Sequence, residues 1–267
     1  MNRLAILAGQ GSLPNQLAAA HAPALFVTFE GLDVSPPDNE HLHTSYERFG
    51  EMFDGLSVAG VTEVVFAGGL ARPQLNPANF DAKMMQLAPR FMAAMQGGDD
   101  GLLRAVIAAF EEHGFAVRGA HELLPGLTCA AGLLTGPEPS DADRKDIARA
   151  RDVLSTLGPL DVGQGAVVAG GQVLGIETAQ GTDAMLRFVA ETPEGLRRGK
   201  GVLVKAPKPG QDLRVDMPAV GPKTVEAAAK AGLAGLVLDA GQVVLLEREE
   251  TLRRAKALGV FILAEEP

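Results

Sequence analysis

Cations, carboxylates and prolines are concentrated in one stretch, residues 204–224, between an apolar run and an alanine-rich segment. The charged residues of interest in it are Lys205, Lys208, Asp212, Arg214 and Asp216. Lysine and arginine could neutralise phosphate, and the aspartates could hold a divalent metal ion or a water molecule. Each proline fixes its own φ and biases the preceding residue toward an extended form, which predicts a loop of fixed shape. A solvated polar connection is the structural alternative.

A glycine turn near the N-terminus is the second candidate for phosphate chemistry. Residues 3–8 predict a buried strand, Gly9, Gly11 and Ser12 follow it, and Pro14 suits the first turn of a helix. The amides at that helix start could bind an anion. A second apolar run and an acidic residue make the unit similar to a dinucleotide fingerprint, but Pro14 stands where the third glycine belongs. An NAD(P)-dependent oxidoreductase and a purely structural turn are therefore both alternatives.

Three further candidates follow predicted strands or begin predicted helices. Arg72 follows the strand predicted at 63–67 and could contact phosphate or uridine, or be structural. His121, beside Glu122, could do acid–base chemistry or be a hydrogen-bonded structural histidine. Thr182 is predicted to cap a helix whose exposed amides suit an anion, with Asp183 near enough to join a metal shell.

Bulk properties restrict the function classes. The 267 residues carry a formal net charge of −9, so binding to nucleic acid is not favoured. Cys129 is the one cysteine, which excludes an internal disulfide, and its apolar setting predicts a buried core residue. Neither a signal peptide nor an apolar run long enough to span a bilayer is evident, so we expect a soluble cytoplasmic protein.

The order of predicted elements divides the chain in two. Residues 1–135 alternate strands and helices, which predicts a Rossmann-like parallel sheet, with 31–45, including His41 and His43, as an irregular surface segment. Residues 136–142 are proline-rich and predict a linker. Residues 143–267 combine a hairpin around Gly170-Gly171 with further helices and strands. We therefore predict an α/β protein with an N-terminal Rossmann-like domain and a C-terminal mixed α/β domain.

Several segments resemble one known family. They are 7–14 (LAGQGSLP), 97–104 (GGDDGLLR), 119–122 (GAHE), 160–165 (LDVGQG), 177–187 (ETAQGTDAMLR) and 205–218 (KAPKPGQDLRVDMP). The family is the UDP-2,3-diacylglucosamine pyrophosphatase of lipid A biosynthesis that is unrelated to the calcineurin-like phosphoesterases. The resemblance covers nearly the whole chain, and its two longest segments are long enough to be specific.

The resemblance implies a function and a set of roles. It implies Mg²⁺-dependent hydrolysis, with Mn²⁺ as an alternative, of UDP-2,3-diacylglucosamine to UMP and 2,3-diacylglucosamine 1-phosphate (lipid X), with water attacking the β-phosphorus. Asp216 falls on the family's catalytic aspartate, and we expect Asp183 as second metal ligand and Asp212 as a further catalytic candidate. Gln164 and Gln211, in matched segments, join the predicted substrate contacts.

The same resemblance implies a substrate held between two domains, a homodimer, and transient contact of a cytoplasmic protein with the inner membrane. A non-catalytic nucleotide or lipid carrier is the alternative from outside the enzymes.

Overall fold

Short apolar runs of five or so residues become the strands, as expected for sheets that are buried on both faces. In a computed structural model, residues 3–37, 40–69, 75–95 and 99–267 are described, apart from the side chains of Asp99 and Asp100. Among these residues no helix is long and apolar enough to cross a membrane.

The elements of the first half are β1 (Leu4–Ala8), α1 (Leu13–Ala20), β2 (Leu25–Phe29), β3 (His41–Thr44), α2 (Phe49–Val58), β4 (Glu63–Ala67), α3 (Ala82–Met95), α4 (Asp99–Glu112), β5 (Ala116–Arg118) and α5 (Ala120–Leu123). Those of the second half are β6 (Gly132–Thr135), α6 (Asp141–Leu157), β7 (Gly165–Ala169), β8 (Gln172–Ile176), α7 (Gly181–Ala190), β9 (Val202–Lys205), β10 (Ala219–Val220), α8 (Pro222–Lys230), β11 (Gly235–Asp239), β12 (Val244–Leu245), α9 (Arg248–Leu258) and β13 (Phe261–Glu265).

The first sheet has five parallel strands in the order β3-β2-β1-β4-β5. This is the order of a Rossmann-like sheet, in which the direction of winding reverses between β1 and β4. The central strand β1 is buried on both faces, because Ala5 and Leu7 join one apolar cluster while Leu4 and Ile6 join the other. The predicted N-terminal Rossmann-like domain is therefore confirmed.

The second sheet is mixed, with six strands in the order β6-β13-β11-β9-β7-β8. Its three central strands are parallel, whereas β6, β7 and β8 pair antiparallel. Along β9 the side chains alternate between two apolar clusters, with Leu203 in one and Val202 and Val204 in the other. The predicted C-terminal mixed α/β domain is confirmed, and β10 and β12 form a separate parallel pair beside it.

By their internal contacts the residues form two compact units. The first comprises Met1–Pro125 and Asp212–Asp216, and the second comprises Gly126–Gln211 and Met217–Pro267. The change of unit at 125/126 precedes the predicted linker, because β6 pairs with β13 and so belongs to the second sheet. The predicted linker itself leads into α6, where Ser140 and Asp143 form the predicted capping box.

The prediction of an irregular segment at 31–45 is wrong at its C-terminal end. Residues 41–44 are not irregular but form the edge strand β3, in which His41 and His43 are exposed and both contact the Thr28 hydroxyl, at 2.7 and 2.9 Å. Polar side chains are accommodated in this strand because it lies at the edge of the sheet, where His41 and His43 are exposed to solvent. Its pairing to β2 supplies the backbone hydrogen bonds that a short polar segment could not secure alone.

Candidate functional site

The proline-rich segment 204–224 begins in β9, whose last residue is Lys205, and runs through β10 to the first turn of α8. Within it, Asp212–Asp216 groups with the first compact unit, and the residues on either side group with the second. The charged side chains of the segment therefore belong to two sets, one in each unit.

In the first unit, Arg214 is held between two carboxylates. Its Nε and Nη2 donate to both oxygens of Asp212, over 2.7–3.2 Å, and its Nη1 donates to Glu111 Oε1 at 2.7 Å. The Arg214 amide also donates to Asp212 Oδ1, at 3.1 Å. The hydrogen bonds from Arg214 hold the pKa of Asp212 below its usual range, against the opposing effect of burial. Asp212 is thus an ionised partner that orients a guanidinium and leaves one N–H group on each of its Nη atoms as a possible donor to an anion.

Asp216 lies one turn beyond this pair. Its backbone amide donates to the Asp212 carbonyl at 3.2 Å, and its side chain is half-buried. Val215, between Arg214 and Asp216, packs against the apolar cluster of the first unit. The segment is therefore anchored by an apolar side chain and a backbone bond, which fixes the backbone that carries the predicted catalytic aspartate.

In the second unit, Lys205 is the centre of a buried polar network. The residue is 6% exposed, and its Nζ donates to Thr182 Oγ1 at 2.6 Å and to Glu177 Oε1 at 3.5 Å. Thr182 Oγ1 in turn donates to Glu177 Oε1 at 2.8 Å. Glu177 Oε2 is buried with no hydrogen-bond partner among the described residues. A β-carbon at Gly165 would lie 2.5 Å from that oxygen, so the glycine makes room for the carboxylate.

The prediction that Thr182 caps a helix is wrong. Helix α7 begins at Gly181 with Gln180 as its N-cap residue, and no side chain caps it. The Thr182 hydroxyl is instead engaged by Lys205 and Glu177, in a network that joins residues distant in sequence and that a local capping pattern does not contain. Asp183 is exposed in the first turn of α7, where a carboxylate is favoured by the helix dipole.

Lys208 and Gln211 belong to a turn in the second unit. The Lys208 amide donates to Gln211 Oε1 at 2.9 Å, and the Gln211 amide donates to the Lys208 carbonyl at 3.1 Å. The Lys208 ammonium pairs with Asp161, which has a left-handed backbone at φ 55°. Nearby, the carbonyl of Gln164 accepts from the Ala206 amide at 3.0 Å. These bonds fix the first part of the segment before it enters the first unit.

The glycine turn after β1 packs closely against the end of β4. The Gln10 amide donates to the Gly69 carbonyl at 2.8 Å, and the Gly69 amide donates back at 2.9 Å. A β-carbon at Gly9 would lie 2.6 Å from the Gly69 oxygen, so Gly9 is required for this approach. Gly11 has a φ of +105°, and Ser12 is exposed, with its Oγ accepting from Gln16 at 3.1 Å. Gly9 therefore has a packing role, and substrate contact by Gly11 and Ser12 stays a prediction.

His121 lies in the short helix α5, just after β5. Its Nδ1 is buried with no hydrogen-bond partner in the described part of the chain. The ring packs over Gly119, where a β-carbon would lie 2.5 Å from its Cε1. The neighbouring Glu122 pairs with Arg118 at 2.7 Å, so this carboxylate is occupied by an arginine. An unpartnered ring nitrogen after a parallel strand keeps His121 a candidate contact for a ligand.

Comparison with known proteins gives the family. The model of the LpxI N-terminal domain matches residues 3–127, and that of the LpxI C-terminal domain matches residues 130–263. The chain belongs to the LpxI family. A relative from Caulobacter vibrioides, "UDP-2,3-diacylglucosamine pyrophosphatase LpxI", is 41% identical over 276 residues, covering 100% of this chain and 99% of the relative. The resemblance seen in the sequence motifs is confirmed.

In this LpxI-family chain, the described residues contain no group of three or more His, Cys, Asp and Glu side chains that could hold a metal ion. Asp212 is committed to Arg214 by both oxygens, which makes it a poor metal ligand. Mg²⁺ is commonly held by one or two carboxylates, with waters and substrate phosphates completing its shell. The half-buried Asp216 and the exposed Asp183 fit that limited donor set, and their role as ligands stays a prediction.

Sequence reasoning missed two carboxylates. Glu177 and Glu111 partner Lys205 and Arg214, 28 and 103 positions away along the chain. The spacing of residues along the chain does not indicate pairs so far apart in sequence. The general rule that a buried cation needs a nearby carboxylate could have indicated that such partners exist, but not which residues they are. Arg72 lies outside the described residues, as do Gly97 and Gly98.

Proposed function

We propose that this chain hydrolyses the pyrophosphate bond of UDP-2,3-diacylglucosamine, releasing UMP and 2,3-diacylglucosamine 1-phosphate for lipid A biosynthesis. The observation that carries the proposal is the 41% identity with the Caulobacter relative over essentially the whole of both chains. Matches to both domain models add support, because they leave neither domain of this chain without a counterpart in the family.

In the proposed reaction, the Asp216 carboxylate orients the attacking water by accepting a hydrogen bond from it. Arg214, held by Asp212 and Glu111, donates hydrogen bonds to phosphate oxygens through the N–H groups that these carboxylates do not use. The paired carboxylates keep the guanidinium in one orientation, so little side-chain entropy is lost when an anion binds. Attack at the β-phosphorus, on the sugar side, is part of the proposal.

The proposal includes a divalent ion, Mg²⁺ or alternatively Mn²⁺, with Asp216 and Asp183 as its candidate ligands. When bound, such an ion screens the charge of the pyrophosphate oxygens and of the leaving phosphate. Because the substrate is a lipid-linked nucleotide sugar, the proposal also includes cytoplasmic action with transient contact with the inner-membrane surface. A homodimer is likewise proposed from the family resemblance alone.

The decisive experiment is release of UMP from UDP-2,3-diacylglucosamine in ¹⁸O-labelled water, with Mg²⁺, with Mn²⁺ and then with EDTA. Metal-dependent release with the label in the lipid phosphate is the expected result. Label in UMP would retain the substrate and overturn attack at the β-phosphorus. Absence of release with either metal would overturn the hydrolase proposal and favour a carrier, and a change in NAD(P)H absorbance or fluorescence on mixing would favour the oxidoreductase.

Asp216→Asn tests the role of the carboxylate. We expect kcat to fall by about 100-fold or more, the usual effect of losing a positioned proton acceptor, with KM changed little. Asp54→Asn, on an exposed face of α2 in the same unit, is the matched control and should retain normal turnover. Near-normal turnover by Asp216→Asn would remove this residue from the reaction.

A further inference from the structure

His121 differs from the other four histidines of the chain in its hydrogen bonding. Each of those four has a ring nitrogen within 2.6–2.9 Å of a backbone carbonyl or a threonine hydroxyl: His21, His41, His43 and His113. Within the described part of the chain the His121 ring makes no such bond, and its Nδ1 is buried without a partner. Buried polar groups in native proteins are nearly always satisfied, so this exception indicates a role other than structural hydrogen bonding.

The backbone that carries this ring is fixed. Helix α5 follows β5 directly, and its amides at Glu122 and Leu124 donate to the carbonyls of Gly119 and Ala120 at 3.0 and 2.9 Å. Ala120 and Leu124 also pack against an apolar cluster of the first unit. The ring is therefore held at the carboxyl end of the Rossmann-like sheet, the end at which ligands of open α/β sheets bind.

The ring also borders the segment that carries Asp216. A β-carbon at Gly119 would lie 2.5 Å from His121 Cε1 and 3.4 Å from Arg214 Cα, so the ring and the backbone of that segment meet over this glycine. Residues 212–216 form one turn and belong, like His121, to the first compact unit. The ring is therefore a neighbour of the turn that carries the predicted catalytic aspartate.

The buried Nδ1 also indicates which ring nitrogen of His121 carries the hydrogen. In native proteins a buried N–H without an acceptor is rarer than a buried acceptor without a donor. The tautomer with its hydrogen on Nε2 therefore costs less free energy at this position. The residue as a whole is half-buried, so its accessible surface lies away from Nδ1, and the Nε2–H group is the donor left for a ligand.

We propose that His121 contacts the substrate, with its Nε2–H donating a hydrogen bond to a phosphate oxygen of the pyrophosphate. The inference rests on the proposed function, in which the reacting phosphate lies at Asp216, on the turn that borders this ring. An anionic oxygen accepts a stronger hydrogen bond than a carbonyl of the uracil ring does, which favours the phosphate as the partner. Because the ring is already packed over Gly119, little side-chain entropy is lost when the ligand binds.

Two substitutions of His121 test the contact, because the amide nitrogen of glutamine reaches close to the position of Nε2, whereas that of asparagine reaches only to Nδ1. We expect kcat/KM for UDP-2,3-diacylglucosamine to fall about tenfold or more in His121→Asn, the usual effect of losing one hydrogen bond to a charged group. In His121→Gln the fall should be less than about threefold, because the donor is retained. His43→Gln, at an exposed position in the same unit, is the matched control and should keep the normal kcat/KM.

Equal losses in both His121 variants would indicate that the ring only packs, and would overturn the proposal. An unchanged kcat/KM in His121→Asn would overturn it as well, while leaving the hydrolase proposal intact.

NMR of [¹⁵N]histidine-labelled protein tests the tautomer and the ligand without turnover. A bare ring nitrogen and one that carries hydrogen have well-separated ¹⁵N shifts, and the spectrum of His121→Gln identifies the His121 signals among those of the five histidines. We expect the hydrogen on Nε2, and a shift of the Nε2 signal with UDP but not with uridine, which lacks phosphate. Hydrogen on Nδ1, no shift with UDP, or equal shifts with both probes would overturn the proposal.

Because this second readout is binding, it separates the two proposals. Absent hydrolysis together with a UDP-selective shift at His121 would refute the proposed function alone.

Discussion

The buried pair of Lys205 and Glu177 allows a quantitative prediction for the second unit. The two side chains are 7% and 12% exposed, and their charged atoms are 3.5 Å apart. At an effective dielectric constant of about 20, two charges at that distance attract by roughly 5 kcal/mol. Removing one partner loses this attraction and leaves the other charge buried, for which about 3–5 kcal/mol of stability is the usual loss. We therefore expect Glu177→Leu and Lys205→Met each to lower the free energy of unfolding by that amount.

The double variant, Glu177→Leu with Lys205→Met, removes both charges and should recover most of the loss. Apolar replacement of a whole buried pair is often neutral. The Thr182 hydroxyl then loses its two partners, for which we allow about 1–2 kcal/mol. The sum of the two single losses should thus exceed the loss in the double variant by at least about 4 kcal/mol.

Cys129 supplies an assay specific to the second unit. It is the one cysteine of the chain and lies 5% exposed in an apolar cluster of that unit, where burial raises the pKa of its thiol. Its rate of labelling by a thiol reagent in increasing urea reports unfolding of this unit without assuming that the whole chain unfolds in one step. Glu138→Leu, which breaks an exposed ion pair to Arg144, is the control and should change stability by less than about 1 kcal/mol. Single losses under about 1 kcal/mol, or strictly additive losses, would refute the buried-pair reasoning.

Two further predictions concern groups buried away from the proposed site. The Asp146 carboxylate accepts hydrogen bonds from the amides of Gly170 and Gly171, at 2.9 and 2.7 Å. Asp146→Ala should therefore lower the free energy of unfolding of the second unit by about 3 kcal/mol, measured by Cys129 labelling. A loss no greater than that caused by Asp152→Ala, at an exposed position, would contradict this prediction. Burial raises the pKa of Tyr46 to about 12, so ultraviolet absorbance should show its phenol titrating near pH 12. The contribution of this neutral phenol to stability is complete below about pH 10 and is lost as the pH rises toward 12. A titration midpoint near pH 10 in the folded protein would contradict the burial of the hydroxyl.

Sequence patterns correctly predicted those structural features that depend on interactions between residues close together in the chain. The Ser140–Asp143 capping box and the hairpin turn at Gly170-Gly171 formed as expected, because both depend on residues within a few positions of one another. Strand β3 was missed, since its residues are polar and its hydrogen bonds come from β2, outside the segment. Helix α3 was also missed; Pro89 lies inside it, and a proline within a helical pattern usually indicates that the helix ends or is interrupted there.

For the candidate site, residue types were easier to predict than partners. The cations of the proline-rich segment were found from composition, but their carboxylates come from distant positions: Glu177 for Lys205, and Glu111 for Arg214. The hydroxyl of Thr182 was assigned to a helix cap because sequence spacing contains only neighbours. Its hydrogen bond to Lys205 depends on how β9 and α7 are arranged in the second unit.

The first compact unit has a consequence for synthesis on the ribosome. Its residues 212–216 are made only after most of the second unit, roughly 90 residues beyond Pro125. At about 5–20 residues per second, the first unit waits about 5–20 s for its last segment. During that time Glu111 has no Arg214, and the apolar cluster lacks Val215. A fragment that ends at the boundary between the two family domains would therefore lack residues 212–216, including Asp216, which group with the first unit. The first domain could not be transferred to another protein by itself without losing this segment.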